Sequence, residues 1–495
     1  MLVPVVLSGG NGSRLWPVSR EAHPKPFIRL SNDPYSLIQK TYQRATNIPN
    51  VEKIITVTNF EYYYQSKKDL NDLDDATKSH EFSFILEPVS RNTAAAIAFS
   101  ALFIKETIDP EAVLLVLPAD HIILNQDKFN LSIEKAYELA KNKLLTTFGI
   151  IPHKVETAYG YIQYGEFSEI SSAYKVIKFF EKPMYEDAQN FIEEGNYLWN
   201  SGIFCFSAKT FLESIKKYTP ELYEKFLNCW KLSTKKNIIF KDKVKLDEKS
   251  FSQLENISID YALMEKAENI AVIPADFGWS DVGSWDALNT LLEPSEHGNR
   301  IVGNAFLKET HNTTIYSQNS PGRLIAVLGV KNLTIVDTIY ALLICEHDQV
   351  QKVKQVVDQL KLNGHESYRY HQTVYRPWGN YTILDQGPNY KLKRLIVHPG
   401  ASLSLQMHQY RSEYWVVVAG IATVENNQKI ITLNVKESTF IALGDKHCLS
   451  NINEKDLVLI ELQIGSYLGE DDIIRFKDNY DREKNISKTE TNICL

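Results

Sequence analysis

The sequence predicts an α/β protein built on a mostly parallel sheet, followed by a short β-helix-like connector and a small C-terminal β-barrel. Three observations carry this. Near-continuous apolar runs alternate with helical patterns through the first half. From about residue 295 short β-like runs separated by Asn, Gly and Asp replace the helical periodicity, and from about residue 375 strands and turns follow one another almost without a helix. A chain of 495 residues has room for about three domains at roughly 150 residues each. The expected bounds are 1–294, 295–365 and 366–480, with a polar tail over 481–495.

In the first part, "LVPVVLS" (2–8), "KIITVT" (53–58), "FSFILE" (82–87) and "AVLLVLPA" (112–119) are short runs rich in Val, Ile and Leu, the pattern of strands buried on both faces. Between them lie helical patterns such as "TAAAIAFSALFIKE" (93–106) and "FNLSIEKAYELAKN" (129–142). The Lys-rich stretch 231–250 has little apolar content and is expected to be a solvated excursion rather than a basic binding patch. In the middle part "TTIYSQ", "LIAVLGV", "LTIVDT" and "ALLIC" predict a few coils of β-helix, followed by one helix over 348–364. The last part, with "RPWGNYTIL", "YKLKRLIVHPG", "SLSLQMH", "EYWVVVAGIATV" and "STFIALG", predicts the barrel.

Composition narrows the function classes. A formal net charge of -7 offers no basic face to nucleic acid, so a phosphate-bearing partner must be held locally. The five cysteines include no Cys-x-x-Cys pair, which fits a reducing compartment. The first apolar run has no basic flank and no small-residue cleavage site, and no window approaches the ~18 apolar residues of a membrane span. A cytoplasmic protein with neither membrane nor nucleic acid as partner is expected.

The chemistry begins directly after the first apolar run, at "LSGGNGSRLWP" (7–17). Gly9, Gly10 and Gly12 let the backbone turn tightly and bring its N–H groups against an anion, and Arg14 supplies a cationic fork for phosphate oxygens. Taken alone, such a loop is equally a Gly-rich turn with a surface arginine. Two other phosphate motifs are excluded: Leu15 stands where a dinucleotide fingerprint needs its third glycine, and no lysine follows as a P-loop requires. Lys25 then lies between Pro24 and Pro26, which stiffen its backbone and suit an ammonium held against phosphate.

In Gly9, Gly10, Gly12, Arg14, Leu15, Pro17, Pro24 and Lys25 the sequence resembles the sugar-1-phosphate nucleotidyltransferases. The resemblance implies that "EPVSRNTAAAIA" (87–98), with Glu87, Arg91, Asn92 and Thr93, contacts the nucleobase, as in the mannose-1-phosphate, guanylyl-transferring branch. By their own chemistry Asn92 and Thr93 can cap the helix that follows. It also implies that Asp120 in "LPADH" and Asp281 in "GWSDVGSW" share a Mg ion on a triphosphate, a role that fits Mg's preference for a few carboxylates plus phosphate oxygens. "YGYI", "FEKP" and "LWNSGIFCF" resemble hexose-binding segments and place Gly160, Glu181, Lys182 and Asn200 around the sugar and its phosphate. "SIDYALMEK" (258–266) matches the same branch and is expected mainly to pack. The implied reaction converts GTP and mannose-1-phosphate to GDP-mannose and pyrophosphate, with Arg14, Lys25, Asp120 and Asp281 as the catalytic set.

A second constellation lies far along the chain. Gly400, Gln406, His408, Glu413 and Gly420 follow the cupin spacing, with Gln406 in place of a first histidine, and "GDKHCLSN" (444–451) adds His447 as a fourth ligand. Residues two apart on a strand share a face, so Gln406 and His408 can both point into a barrel. Four such ligands leave a position open for substrate on a divalent ion, Zn, Co or Mn. The whole chain now resembles the bifunctional type II mannose-6-phosphate isomerase/mannose-1-phosphate guanylyltransferases. It departs from them at Gln409, Tyr410 and Tyr414, where that family has histidines, and at Cys448, where it has an arginine. Lys393, Arg394 and Arg411 are further candidates for phosphate contact. Three readings of this block stay open: a working isomerase, a metal cup without its chemistry, and a metal-free packing barrel. For the first site, a different nucleotide or hexose phosphate and a non-catalytic sugar-nucleotide sensor are the alternatives, and a homodimer is left open.

Overall fold

The first apolar run forms β1 (Leu2–Ser8), and its alternation decides the architecture. Val3 and Val5 face one apolar core while Leu2 and Val6 face another, so the strand is buried on both sides as successive side chains point opposite ways. The structure, a computed structural model, describes residues 1–10, 12–30, 33–168, 172–236, 242–318, 323–339, 341–369 and 373–477. The expected polar tail lies outside them. The chain divides into two compact units, 1–368 and 369–495.

In the first unit the sheet continues with β2 (Lys53–Asn59), β3 (Glu81–Glu87), β4 (Val113–Pro118), β6 (Leu145–Ile150), β7 (Gly160–Ser168), β8 (Ala173–Glu181), β9 (Tyr197–Ser207), β10 (Lys243–Lys245) and β11 (Ile270–Ala275). Their order across the sheet is β10-β3-β2-β1-β4-β9-β6-β11-β8-β7. β10, β3, β2, β1 and β4 are mutually parallel, and among the ten only β8 and β9 run against the rest. Helices cover both faces: Thr93–Thr107, Ala208–Tyr218 and Pro220–Lys236 on the Val3 side, Leu37–Thr46 and Gln126–Lys141 on the other.

The expectation for 231–250 is corrected. Residues 231–236 continue the helix Pro220–Lys236, and β10 then pairs in parallel with the sheet edge at β3. Val244, Leu246 and Phe251 enter the core, while Lys243 and Lys245 flank Val244 on the outward face of an edge strand, where lysine also blocks further pairing.

Parallel strands deliver their C-terminal ends to one edge, the place where open α/β sheets collect ligands. Here β1 ends at the glycine loop, β3 at Glu87 and β4 just before Asp120. A two-stranded ribbon of β5 (Ile122–Ile123) and β12 (Trp279–Ser280) pairs Ser280 with Ile122, which carries the Asp281 turn to the Asp120 loop.

Beyond the sheet, β13 (Arg300–Val302), β15 (Thr314–Ser317) and β17 (Leu333–Asp337) stack in parallel as successive coils, and β14 (Ala305–Lys308) pairs with β16 (Ile325–Leu328). Strand β18 (Leu342–Glu346) closes this stack antiparallel. The expected helix opens with a 3-10 turn, His347–Lys352, before Val353–Leu362.

The second unit is antiparallel throughout, with sheets of six and five strands around a core that includes Trp415, Val424, Leu449 and Leu459. Along the strand Arg411–Ala419 the residues Arg411, Glu413, Trp415 and Val417 point inward, and Tyr414, Val416 and Val418 outward.

Candidate functional site

The first unit holds a cleft of about 450 Å³ at the C-terminal edge of the parallel strands, lined in part by Gly9, Gly10, Glu87, Arg91 and Asp120. Asn92 and Thr93 line it too, at the start of the helix Thr93–Thr107. Asn92 caps that helix, its Oδ1 accepting from Thr93 N at 2.9 Å, and the Thr93 hydroxyl accepts from Ile259 N at 2.9 Å. The nucleotide set expected from sequence thus lines one cleft, apart from Gly12, which is in the same loop but does not line it.

Gly12 adopts a left-handed backbone, φ 56°, and a Cβ there would lie 2.6 Å from the Cβ of Lys25. No other residue meets both demands. Gly12→Ala is expected to destabilise the first unit by about 1–3 kcal/mol, read as a lower thermal unfolding midpoint.

Close passage of Gly12 brings Lys25 under the loop. Its ammonium pairs with Asp120 Oδ2 at 2.9 Å and donates to the backbone carbonyl of Asp281. Burial pulls the Asp120 carboxyl upward, but Lys25 and then His121 outweigh it and hold the group below its ordinary range. Asp281 Oδ1 accepts from Tyr159 Oη at 2.7 Å and from Gly283 N at 2.9 Å. Two carboxylates beside a glycine loop, with one lysine touching both segments, match the donor set that Mg takes when phosphate and water complete its shell. Of the expected catalytic set Asp120 lines the cleft, Lys25 and Asp281 stand beside it, and Arg14 is set apart, its guanidinium reaching Gln351 Oε1 at 3.5 Å.

Glu87 lies at the far end of the cleft, 5 % exposed, and its Oε1 has no hydrogen-bond partner among the described residues. Burial, against the pull of Arg91, raises its pKa to about 8. The folded protein therefore keeps a proton that the unfolded chain releases near the ordinary value, 4.5, and stability falls as pH rises between those two values. Glu87→Gln removes that slope. It is expected to raise the unfolding midpoint by several degrees at pH 8 and hardly at all at pH 5.

The residues expected around the sugar are neighbours but stand beside the main cleft rather than in its wall. Gly160 pairs with Glu181 across β7 and β8, and a Cβ at 160 would lie 2.6 Å from the Glu181 carboxylate and 3.4 Å from Asn200. Lys182 is exposed and pairs with Glu181 at 3.0 Å. Asn200 donates to Asp260 Oδ1 at 2.8 Å. Asp260, in the segment expected mainly to pack, does line the cleft, and burial followed by Glu181 raises its pKa to about 6. Sequence reasoning also passed over His121, another cleft residue. Trp279 Nε1 donates to its Nδ1 at 3.1 Å, and burial lowers its pKa to about 4, so it is neutral at pH 7.

In the second unit, Gln406 pairs with His447 across two strands. Among the described residues His408, Glu413 and His447 form a buried group whose ligand atoms lie within 4.8 Å of one another. His447 Nδ1 bonds the Asp445 carbonyl at 2.9 Å, which leaves Nε2 as the lone-pair nitrogen. That Nε2 lies 3.7 Å and His408 Nε2 3.1 Å from the Glu413 carboxylate, while His408 Nδ1 is buried with no hydrogen-bond partner among the described residues. Two buried imidazole nitrogens converging on one buried carboxylate suit a divalent cation. Burial, only partly opposed by Glu413, depresses the His447 pKa. Burial pushes Glu413 up, but His408, His447 and Arg411 hold it well below its ordinary value.

The sequence departures do not line this cup. Tyr414 points outward against Phe440, with ring centroids 4.6 Å apart, and Tyr410 is 52 % exposed beside Tyr467. Gln409 is exposed, and the Cys448 thiol donates to the Leu403 carbonyl at 3.2 Å. Of the three candidate phosphate contacts Arg394 faces outward, whereas Lys393 and Arg411 are buried. Lys393 pairs with Glu470 at 2.7 Å, and Arg411 bonds Glu413 at 3.1 Å and the Gly469 carbonyl at 2.9 Å.

Residues 3–296 match the nucleotidyl transferase family, 303–360 the MannoseP isomerase/GMP-like beta-helix domain, and 363–478 the mannose-6-phosphate isomerase C-terminal family. The chain is 41 % identical over 487 residues to a mannose-1-phosphate guanylyltransferase of Escherichia coli K12, covering 97 % of this chain and 99 % of the relative. It is 40 % identical over 482 residues to the xanthan biosynthesis protein XanB of Xanthomonas campestris, with coverage of 97 % and 99 %. A crystal structure of mannose-1-phosphate geranyltransferase from Thermus thermophilus superposes with a TM-score of 0.62 at 28 % identity, over 73 % of this chain and 99 % of that one.

Proposed function

The chain belongs to the mannose-1-phosphate guanylyltransferase family, and on that premise we propose that its first unit joins GTP to mannose-1-phosphate, giving GDP-mannose and pyrophosphate. The observation that carries this is the meeting of Lys25 with Asp120 and the Asp281 backbone beside the glycine loop. In that cleft the loop amides hold the triphosphate and Lys25 offsets its charge. Arg14, whose guanidinium reaches Gln351, is long enough to turn to the phosphates and add its charge to that of Lys25. Asp120 and Asp281 are the residues that would hold Mg, which when bound neutralises charge on the transferring phosphates. Glu87 and Arg91, with Asn92 and Thr93, flank the base, and Glu87 Oε1 accepts from an N–H donor on its edge. Gly160, Glu181, Lys182 and Asn200 surround the hexose, with Asp260 holding Asn200.

An oxygen of the sugar phosphate attacks the α-phosphorus of GTP in line, and the bond from that phosphorus to the pyrophosphate oxygen breaks. The attacking phosphate is already ionised at neutral pH, so neither a general base nor a protein nucleophile is needed. A substrate panel tests this: GTP with mannose-1-phosphate is expected to exceed ATP, UTP or glucose-1-phosphate combinations by at least about a hundredfold. Equal rates across the panel would contradict it.

A second reaction is favoured by two observations, the outward placement of Tyr414 and the exposure of Tyr410. We propose that the barrel interconverts fructose-6-phosphate and mannose-6-phosphate. His408, Glu413 and His447, with Gln406, would hold Zn, Co or Mn, which when bound polarises the sugar oxygens. Lys393 and Arg411 supply positive charge for the phosphate. Glu461, its carboxyl pushed up by burial and then by Glu413, stands on the wall of the same small chamber, where a proton must pass between C1 and C2. Mannose-6-phosphate formation that depends on added metal and disappears in His408→Ala supports this. Bound metal without turnover would contradict it.

A further inference from the structure

The "GWSDVGSW" motif contains a residue that the proposed chemistry leaves unused. Trp285 is 1 % exposed, and its indole Nε1 donates to the backbone carbonyl of Trp16 at 3.0 Å, across 269 positions of sequence. Trp16 sits in the glycine-loop segment, and Trp285 follows Asp281 by four residues. A single hydrogen bond thus ties the loop that carries Arg14 to the turn that carries Asp281. The other side of the Trp285 ring meets Tyr316 of β15, with centroids 5.3 Å apart, and Tyr316 Oη donates to the Arg29 carbonyl at 3.1 Å, a few residues beyond Lys25.

Packing around this bond is continuous. Leu15, Trp16, Ile122, Val282 and Trp285 share one buried cluster with Tyr316 of the β-helix and Val353 of the helix that follows it. Val282, next to Asp281, needs such support: it is fully buried with φ 45°, and a β-branched residue tolerates that left-handed conformation only where its surroundings enforce it. The end of the connector reaches the same loop, since Trp16 Nε1 donates to the Ser367 carbonyl at 3.1 Å and Arg20 donates to that same oxygen.

We propose that Trp285 is a positioning residue for guanylyl transfer, locking the phosphate loop to the Asp281 turn, and that the β-helix is its backing wall rather than a spacer. This rests on the proposed roles of the glycine loop and Asp281. Its consequence is that the two segments loosen together when the link is cut, whether or not nucleotide or metal is present.

Trp285→Phe removes the indole donor and keeps a ring against Tyr316. In the full-length, metal-free protein, amide hydrogen exchange is expected to rise about tenfold over both 9–20 and 278–286, the effect of one buried hydrogen bond. Exchange in β1, β4 and the C-terminal unit is expected to stay unchanged. In transfer assays the KM for GTP with Mg should rise about tenfold, with the KM for mannose-1-phosphate within about twofold. Unchanged exchange in either segment, or a uniform rise across the whole first unit, would overturn the proposal. If Trp285→Phe does not accumulate as folded protein, Tyr316→Leu removes the wall instead and is expected to loosen the same two segments about threefold; no change there overturns the proposal equally. Asp281→Asn run in parallel separates the two ideas. An active Asp281→Asn enzyme defeats the assigned site, whereas an inactive one beside an unaffected Trp285→Phe enzyme defeats the positioning role alone.

Discussion

Asp281→Asn is expected to lower kcat/KM for guanylyl transfer by at least about a hundredfold to a thousandfold, with the unfolding midpoint shifted by no more than a few degrees. The substitution is nearly isosteric. Asn keeps an oxygen that can accept from Tyr159 Oη and Gly283 N, the two bonds that hold the turn. It loses the negative charge. The other carboxylate, Asp120, is already paired with Lys25, so it does not make up for the charge missing on the Asp281 side. The check is steady-state kinetics with GTP and Mg together with thermal unfolding. A fall in activity that merely tracks a loss of folded protein would assign Asp281 a structural role instead.

Glu413→Ala carries the largest expected effect on stability. The carboxylate is 1 % exposed and accepts from Arg411 Nε, Gln463 Nε2 and Trp415 Nε1, each at 3.1 Å. Removing it strands the buried Arg411 guanidinium and faces two histidines with no acceptor. Breaking a buried ion pair by deleting one partner costs about 3–5 kcal/mol. The C-terminal unit of Glu413→Ala is therefore expected to unfold well below that of the parent and to retain no bound metal by elemental assay. Glu413→Gln keeps the shape but not the charge, and it is expected to lose the metal at a smaller stability cost. Full metal occupancy in either variant would remove Glu413 from the ligand set.

Much of this was legible from local pattern. β1, β3 and β4 announce themselves as Val, Ile and Leu runs because both faces are buried, and the residues at their C-terminal ends follow from the parallel order. β10 was hidden. A single Val244 between two lysines is too short a signal to distinguish an edge strand from a solvated loop. The outward direction of Tyr414 was available in principle, since it lies between the inward Glu413 and Trp415 and strand side chains alternate. Substitution in a motif drew attention to its identity rather than to its face. Asp260 and His121 were missed for another reason. Their roles depend on partners far along the chain, Asn200 and Trp279, as does the bond from Trp285 to Trp16, and no local periodicity records such meetings.

The most direct measurement is product analysis of the purified full-length chain incubated with GTP, mannose-1-phosphate and Mg. GDP-mannose and pyrophosphate are expected in equal amounts, both vanishing in Asp281→Asn. GTP that binds but is returned unconverted, with neither product formed, would contradict guanylyl transfer as the reaction of the first unit.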